Sequence, residues 1–107
     1  MRNELLMTVG EGFLGLLLNE TRRRIIKLLK NRKMTITQIA KSLNLHTCDV
    51  VYHLHALETA GIVESKFEET APKRFAKFFY INEEKLKEAL ESVEALIHEI
   101  RKEVGEK

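Results

Sequence analysis

Apolar residues recur along most of this chain at the three- and four-residue steps of an α-helix, and at two-residue steps in one stretch after Gly61. The leucine-rich residues 3–8 and 11–18 read as a short helical segment or two, with Gly10 and Gly12 as an interruption between them. Asn19 suits the N-cap of "ETRRRIIKLLKN", in which Ile25, Ile26, Leu28 and Leu29 form an apolar stripe and the arginines ring the other side. Thr35 caps "TITQIAKSLNL", with Ile36, Ile39, Ala40 and Leu43 on one face and Asn44 as a left-handed turn residue. Residues 46–60 follow, where Val50, Leu54 and Leu57 fall at i, i+4 and i+7 before Gly61 stops the helix. Short helices with a tight turn between the last two make a helix-turn-helix signature.

After Gly61 the period becomes 2. "IVESKFE" alternates and "RFAKFFYI" is aromatic and β-prone, so residues 62–81 read as a hairpin turned at the polar "ETAPKR". The chain then returns to helix. Asn82 caps residues 83–104, whose Leu86, Leu90, Val93, Ile97, Ile100 and Val104 keep an unbroken heptad step. A helix of some 22 residues is about 33 Å long, more than a core of this size can cover, so its stripe is expected to pack against a second copy. The fold class is therefore mostly α with a small β-hairpin (α+β): a winged helix-turn-helix with a long C-terminal dimerisation helix.

A length of 107 residues suits a single domain over 1–107, with residues 1–18 joining the dimer interface. A net charge of +2 conceals an asymmetry: residues 1–81 hold 13 Lys or Arg against 8 Asp or Glu, whereas residues 82–107 hold 5 against 8. The front of the chain can face a polyanion and the tail cannot. Cys48 is the single cysteine, which excludes an internal disulfide and fits a cytoplasmic setting. The apolar N-terminus is broken by Glu4 and Glu11 and is too short to span a membrane.

The segment 45–61 gathers candidate chemistry: His46, Cys48, Tyr52, His53 and His55. Chelation on one helix needs ligands three or four apart, and no pair among these histidines and Cys48 has that spacing. No metal site or other cofactor is expected. Nothing pairs Cys48 with a base in a pocket, and no phosphate loop or nucleophile elbow is present, so the chain does not read as an enzyme. With Val50, Leu54 and Leu57 turned inward, the outward side carries Cys48, Tyr52, His55 and Thr59, flanked by Val51. His53 points between faces and reads as a half-buried packing residue that hydrogen-bonds locally. Of the basic run from Arg22 to Lys33, Arg22 lies on the apolar side and suits a structural salt bridge, while Lys73 and Arg74 at the hairpin turn suit phosphate. Glu68 and Glu69 would blunt that wing.

Residues 13–82 resemble the core of the bacterial and archaeal ArsR-type winged-helix repressors. "TRRRIIKLL", "HLHALETAGIV" and "KRFAKFFYIN" carry the likeness. The resemblance implies a homodimer, built on the first and last helices, that binds double-stranded operator DNA and responds to effectors in many members. It places the N-terminal part of helix 46–60 in the major groove, which maps to His46, Thr47, Cys48, Val51 and Tyr52 here. The family's metal-sensing cysteine pair is absent from "MTITQIA", and Glu94 with His98 is all this tail offers towards the zinc site of another branch. The expected function is a sequence-specific regulator, a repressor reading a palindromic operator, with no role at a membrane. The alternatives are a winged-helix module for protein–protein contact and a redox- or ligand-responsive regulator using Cys48.

Overall fold

A computed structural model of the protein describes residues 2–105, with side chains from Val9 to Gly105. Met1, Glu106 and Lys107 of the expected 1–107 unit, and the side chains of residues 3–8, lie outside the described residues. The elements run α1 (Arg2–Leu17), α2 (Glu20–Leu28), α3 (Ile36–Leu43), α4 (Thr47–Thr59), β1 (Val63–Ala71), β2 (Arg74–Ile81) and α5 (Glu83–Glu103). This is the mostly α winged helix-turn-helix that the periodicity predicts.

Local chemistry sets most of the boundaries. Asn19 Oδ1 accepts from the Arg22 backbone N–H at 3.1 Å and Asn82 Oδ1 from that of Lys85 at 3.0 Å. Thr35 and Gln38 form a reciprocal capping box at 3.2 and 2.9 Å. Asn44 closes α3 in the left-handed region at φ 54°. α4 ends in a Schellman motif: Gly61 stands at φ 81°, its N–H donates to the Glu58 carbonyl, and the Ile62 N–H donates to Leu57. Leu57 and Ile62 are both fully buried, so the same turn that stops α4 seals the core beneath it.

That core joins Ile25 of α2 and Leu29 at its C-cap, Ile39 and Ala40 of α3, and Val50, Leu54 and Leu57 of α4 to Val63, Phe79 and Ile81 of the hairpin. The α4 stripe is 0–1% exposed. Burying each such side chain is worth about 1.5–3 kcal/mol, which fixes the face α4 turns inward and hence the face it turns outward. The hairpin base is pinned by an antiparallel bridge between Met34 and Phe79, with N–H to carbonyl bonds of 3.0 and 2.8 Å.

The structure departs from the sequence expectation in two elements. Residues 2–17 form one helix, not two segments broken at Gly10 and Gly12. A Cβ on Gly10 would lie 2.6 Å from the Ser92 carbonyl oxygen, so this glycine lets α1 cross closely over α5, and packing outweighs its poor helix propensity. Phe13 further along α1 meets Lys85 nearer the start of α5, which makes the two helices antiparallel. The turn expected over "ETAPKR" shrinks to Pro72 and Lys73, because β1 continues through Glu69–Ala71 with a bulge between Glu69 and Ala71. Lys73 takes φ 63° and its N–H donates to Glu69 Oε1 at 3.1 Å, so a side-chain cap helps hold a turn conformation that favours glycine.

α5 has two apolar faces. Ala89 and Leu96 are buried on the side of α1, whereas Leu90, Ile97, Ile100 and Val104 are 47%, 42%, 44% and 72% exposed, with Leu86 and Val93 half-buried. Most of the heptad stripe read from the sequence thus stays open, although Leu86 at its start packs against the core.

Candidate nucleic-acid interface

α4 enters this interface from an extended residue, His46, at φ −72° and ψ 146°, whose side chain makes no capping bond. The His46 carbonyl accepts from the Asp49 and Val50 N–H groups at 3.1 and 3.2 Å. The first-turn N–H groups of Thr47 and Cys48 therefore have no side-chain cap at the positive end of the helix dipole. His46, Thr47, Cys48, Asp49, Val51, Tyr52 and His55 are all exposed, with Cys48, Tyr52 and His55 on the side opposite Val50, Leu54 and Leu57, Asp49 and Val51 on its flanks, and His46 and Thr47 at the helix start. Together they offer hydroxyl, imidazole and thiol groups beside the Val51 methyls, the mixture that base edges and phosphates can meet. Asp49 opposes phosphate, the one acidic side chain in that first turn.

His53 sits behind this surface and is half-buried. Its partner is not local as expected: Arg22 Nε, 31 residues earlier, donates to His53 Nδ1 at 3.1 Å. Arg22 Nη1 also donates to the Leu16 carbonyl at 3.3 Å and the guanidinium stands 5.9 Å from the Tyr52 ring centre. Arg22 therefore joins α1, α2 and α4 through hydrogen bonds, where the sequence suggested a salt bridge. Burial, and then the Arg22 charge, hold His53 below its ordinary 6.5, with Asp49 pulling the other way. A neutral imidazole accepting at Nδ1 from a cation is consistent with that direction.

The other arginines of "TRRR" also cap helices. Arg23 Nη1 donates to the Leu17 carbonyl at 2.8 Å and Arg24 Nη2 to the Leu43 carbonyl at 3.3 Å, which satisfies the ends of α1 and α3. Their adjacent positions in the sequence give no hint of this, since the acceptors lie on other helices.

The hairpin extends away from α4 and is braced to it by Ser65 Oγ, which donates to Glu58 Oε2 at 2.8 Å. Lys73 and Arg74 are exposed at its tip. Glu68 is ion-paired: Lys33 Nζ donates to its Oε1 at 2.6 Å and Lys66 Nζ lies 3.6 Å from its Oε2. The Lys33 hydrogen bond, with the charges of Lys33 and Lys66, holds the Glu68 carboxyl below its ordinary value. Glu69 is occupied by the Lys73 N–H. Sequence reasoning passed over Gln38, Lys41 and Ser42, which line an open concavity with Arg32 and Lys33. Their signal was available, because the first helix of a helix-turn-helix crosses the phosphate backbone.

Among the described residues no three His, Cys, Asp or Glu side chains gather as metal ligands, and no helix is long and apolar enough to cross a membrane. Glu94 and His98 are both exposed.

These features define a winged helix-turn-helix with a long antiparallel α1–α5 arm. Residues 19–65 match the family described as "Bacterial regulatory protein, arsR family", and the ArsR-type resemblance is borne out over that segment. The fold is shared with a "possible transcriptional regulator for arsenical resistance", at 22% identity and TM-score 0.64 over 83% of each chain. A possible transcriptional regulator from Methanosarcina mazei Go1 is 16% identical with TM-score 0.62, over 83% of this chain and 78% of that one. Reduced HlyU from Vibrio cholerae N16961 is 22% identical with TM-score 0.61, over 80% and 84%. No curated protein matches the chain. The matched family is one of regulators rather than enzymes.

Proposed function

We propose that the protein is a sequence-specific DNA-binding transcriptional regulator, a homodimeric repressor of a palindromic operator. The observation that carries this reading is α4 itself, whose inner stripe is sealed in the core while every outward side chain of its first two turns is exposed. Residues 46–60 enter the major groove: Thr47 and His46 bond base edges or phosphate, Val51 meets a thymine methyl, and Tyr52, Cys48 and His55 complete the surface. The hairpin 62–81 is the wing, with Lys73 and Arg74 on phosphate. The seam of Leu86, Leu90, Val93, Ile97, Ile100 and Val104, exposed at four of these positions and half-buried at Leu86 and Val93, packs with α1 beside it against a second copy. Two α4 helices then lie about 34–36 Å apart in successive major grooves. The core 13–82 reads DNA and 83–104 dimerises.

Fluorescence anisotropy against random and selected duplexes across a salt series tests this. The reading predicts preference for the selected duplex and affinity that falls steeply with salt. Absence of binding even at low ionic strength would sink it.

A second reading adds thiol control, since Cys48 is exposed in the first turn of α4. Oxidation by peroxide to a sulfenic acid would alter the reading surface. Equal DNA affinity of wild type and Cys48→Ser, before and after peroxide, removes it.

A further inference from the structure

Phe67 and Phe75 are 70% and 64% exposed, although they continue the hairpin face whose base, Val63, Phe79 and Ile81, is buried. In the strand register Phe67 lies opposite Lys77 and Phe75 opposite Glu69, so the two phenylalanines are diagonal neighbours on one face. Phe79 is the other diagonal neighbour of Phe67. A row of three aromatic positions therefore runs from the core to the wing tip.

The row is set in positive charge. Lys77 Nζ stands 5.9 Å from the Phe67 ring centre and 5.4 Å from that of Phe79, while Lys73 and Arg74 occupy the tip. Of the acidic groups nearby, Glu68 on the opposite face is paired with Lys33 and Lys66, and Glu69, opposite Phe75, keeps its charge while accepting from the Lys73 N–H in the turn. The support is also ordered, with a two-residue turn, a bulge that sharpens the strand twist, and a base bonded to Met34. A preordered tip loses little entropy on binding. Exposed rings framed by cations suit a partner with flat π-faces behind an anionic rim, which describes a base step at the edge of a groove.

We propose that Phe67 and Phe75 act as an aromatic wedge, entering the minor groove beside the α4 contact and partly unstacking one base step. Lys73, Arg74 and Lys77 hold the flanking phosphates. The wedge makes the wing a reader of deformability, favouring flexible pyrimidine–purine steps that α4 does not touch. It rests on the DNA-binding reading above.

The test uses the full chain and a duplex of about 30 base pairs recovered from a randomised pool by the wild-type protein. The duplex carries a dye at each end for energy transfer and 2-aminopurine at the steps flanking the protected major-groove bases. Wild type should bring the ends closer and raise 2-aminopurine fluorescence at one step per half-site. Phe67→Ser with Phe75→Ser should lose both signals and bind roughly tenfold more weakly, since stacking on each base is worth that order. Phe67→Leu with Phe75→Leu keeps an apolar wedge and should retain most of the bend, and matched thermal melts report that both variants fold. A duplex that stays straight with wild type, or bends equally with the serine variant, overturns the wedge while leaving DNA binding intact. Failure of wild type to bind any duplex overturns both. Normal DNA behaviour of the serine variant with lost self-association would assign the rings to protein contact and overturn the proposal.

Discussion

α4 and α5 each carry an apolar stripe at helical spacing, and the two stripes meet opposite fates. In α4 the stripe of Val50, Leu54 and Leu57 disappears into the chain's own core. In α5 the heptad stripe of Leu90, Ile97, Ile100 and Val104 stays largely open, while Ala89 and Leu96, outside that heptad, are buried against α1. Periodicity identifies an apolar face but not what covers it. The helix that ends up fully covered on one side is free to present chemistry on the other, and the helix left open supplies an interface.

The contrast can be broken from the α4 side first. Leu54→Ala leaves a cavity beneath the recognition surface and should cost about 2–5 kcal/mol, read as a lower urea midpoint. A loss well under 1 kcal/mol would mean the core collapses around the site. On the α5 side, Gly10→Val drives a side chain into the Ser92 carbonyl and Leu96. It should cost about 1–3 kcal/mol of stability, as overpacking does, whereas Gly12→Ala, which meets nothing within 4 Å, should be neutral or stabilising by up to about 1 kcal/mol. Equal effects at the two glycines would remove the close crossing.

A smaller effect attaches to the link behind α4. His53→Ala deletes the acceptor for Arg22 Nε and should cost about 1 kcal/mol at neutral pH. Because burial and Arg22 lower the folded pKa below 6.5, the unfolded chain binds the proton first as pH falls. The stabilisation is therefore complete above about pH 6.5 and drains away as pH drops through the folded value. Urea titrations between about pH 7.5 and 5.5 should show a wild-type decline that the variant lacks, and parallel curves would sever the link between His53 titration and stability.

How far the residues foretold the fold depends on how local each cause is. Asn19, Thr35, Asn44 and Asn82 act on neighbours within four positions, so their caps were legible, as were the inward faces of α2, α3 and α4. Gly10 reads as a breaker because its reason, the Ser92 carbonyl, lies more than 80 residues away. Arg22 read as a salt-bridge partner, and Arg23 and Arg24 as a charged face, because their acceptors at Leu16, Leu17 and Leu43 depend on how helices meet. The β1 extension through Glu69–Ala71 was hidden in residues that read as a polar turn, and it is held by the Lys73 N–H bond to Glu69. At the candidate site, the exposure of Cys48, Val51, Tyr52 and His55 follows from spacing, His46 and Thr47 entered through the family resemblance, and the exposed phenylalanines of the wing required the register.

The most direct test is sedimentation equilibrium of wild type and of Leu90→Glu with Ile97→Glu, each alone and with the selected duplex. Wild type should sediment at twice the 12.4 kDa chain mass and load two chains per duplex, and the variant should sediment as a folded 12.4 kDa monomer that has lost specific binding. A wild-type monomer at micromolar concentration, or a variant that still pairs, would contradict the account.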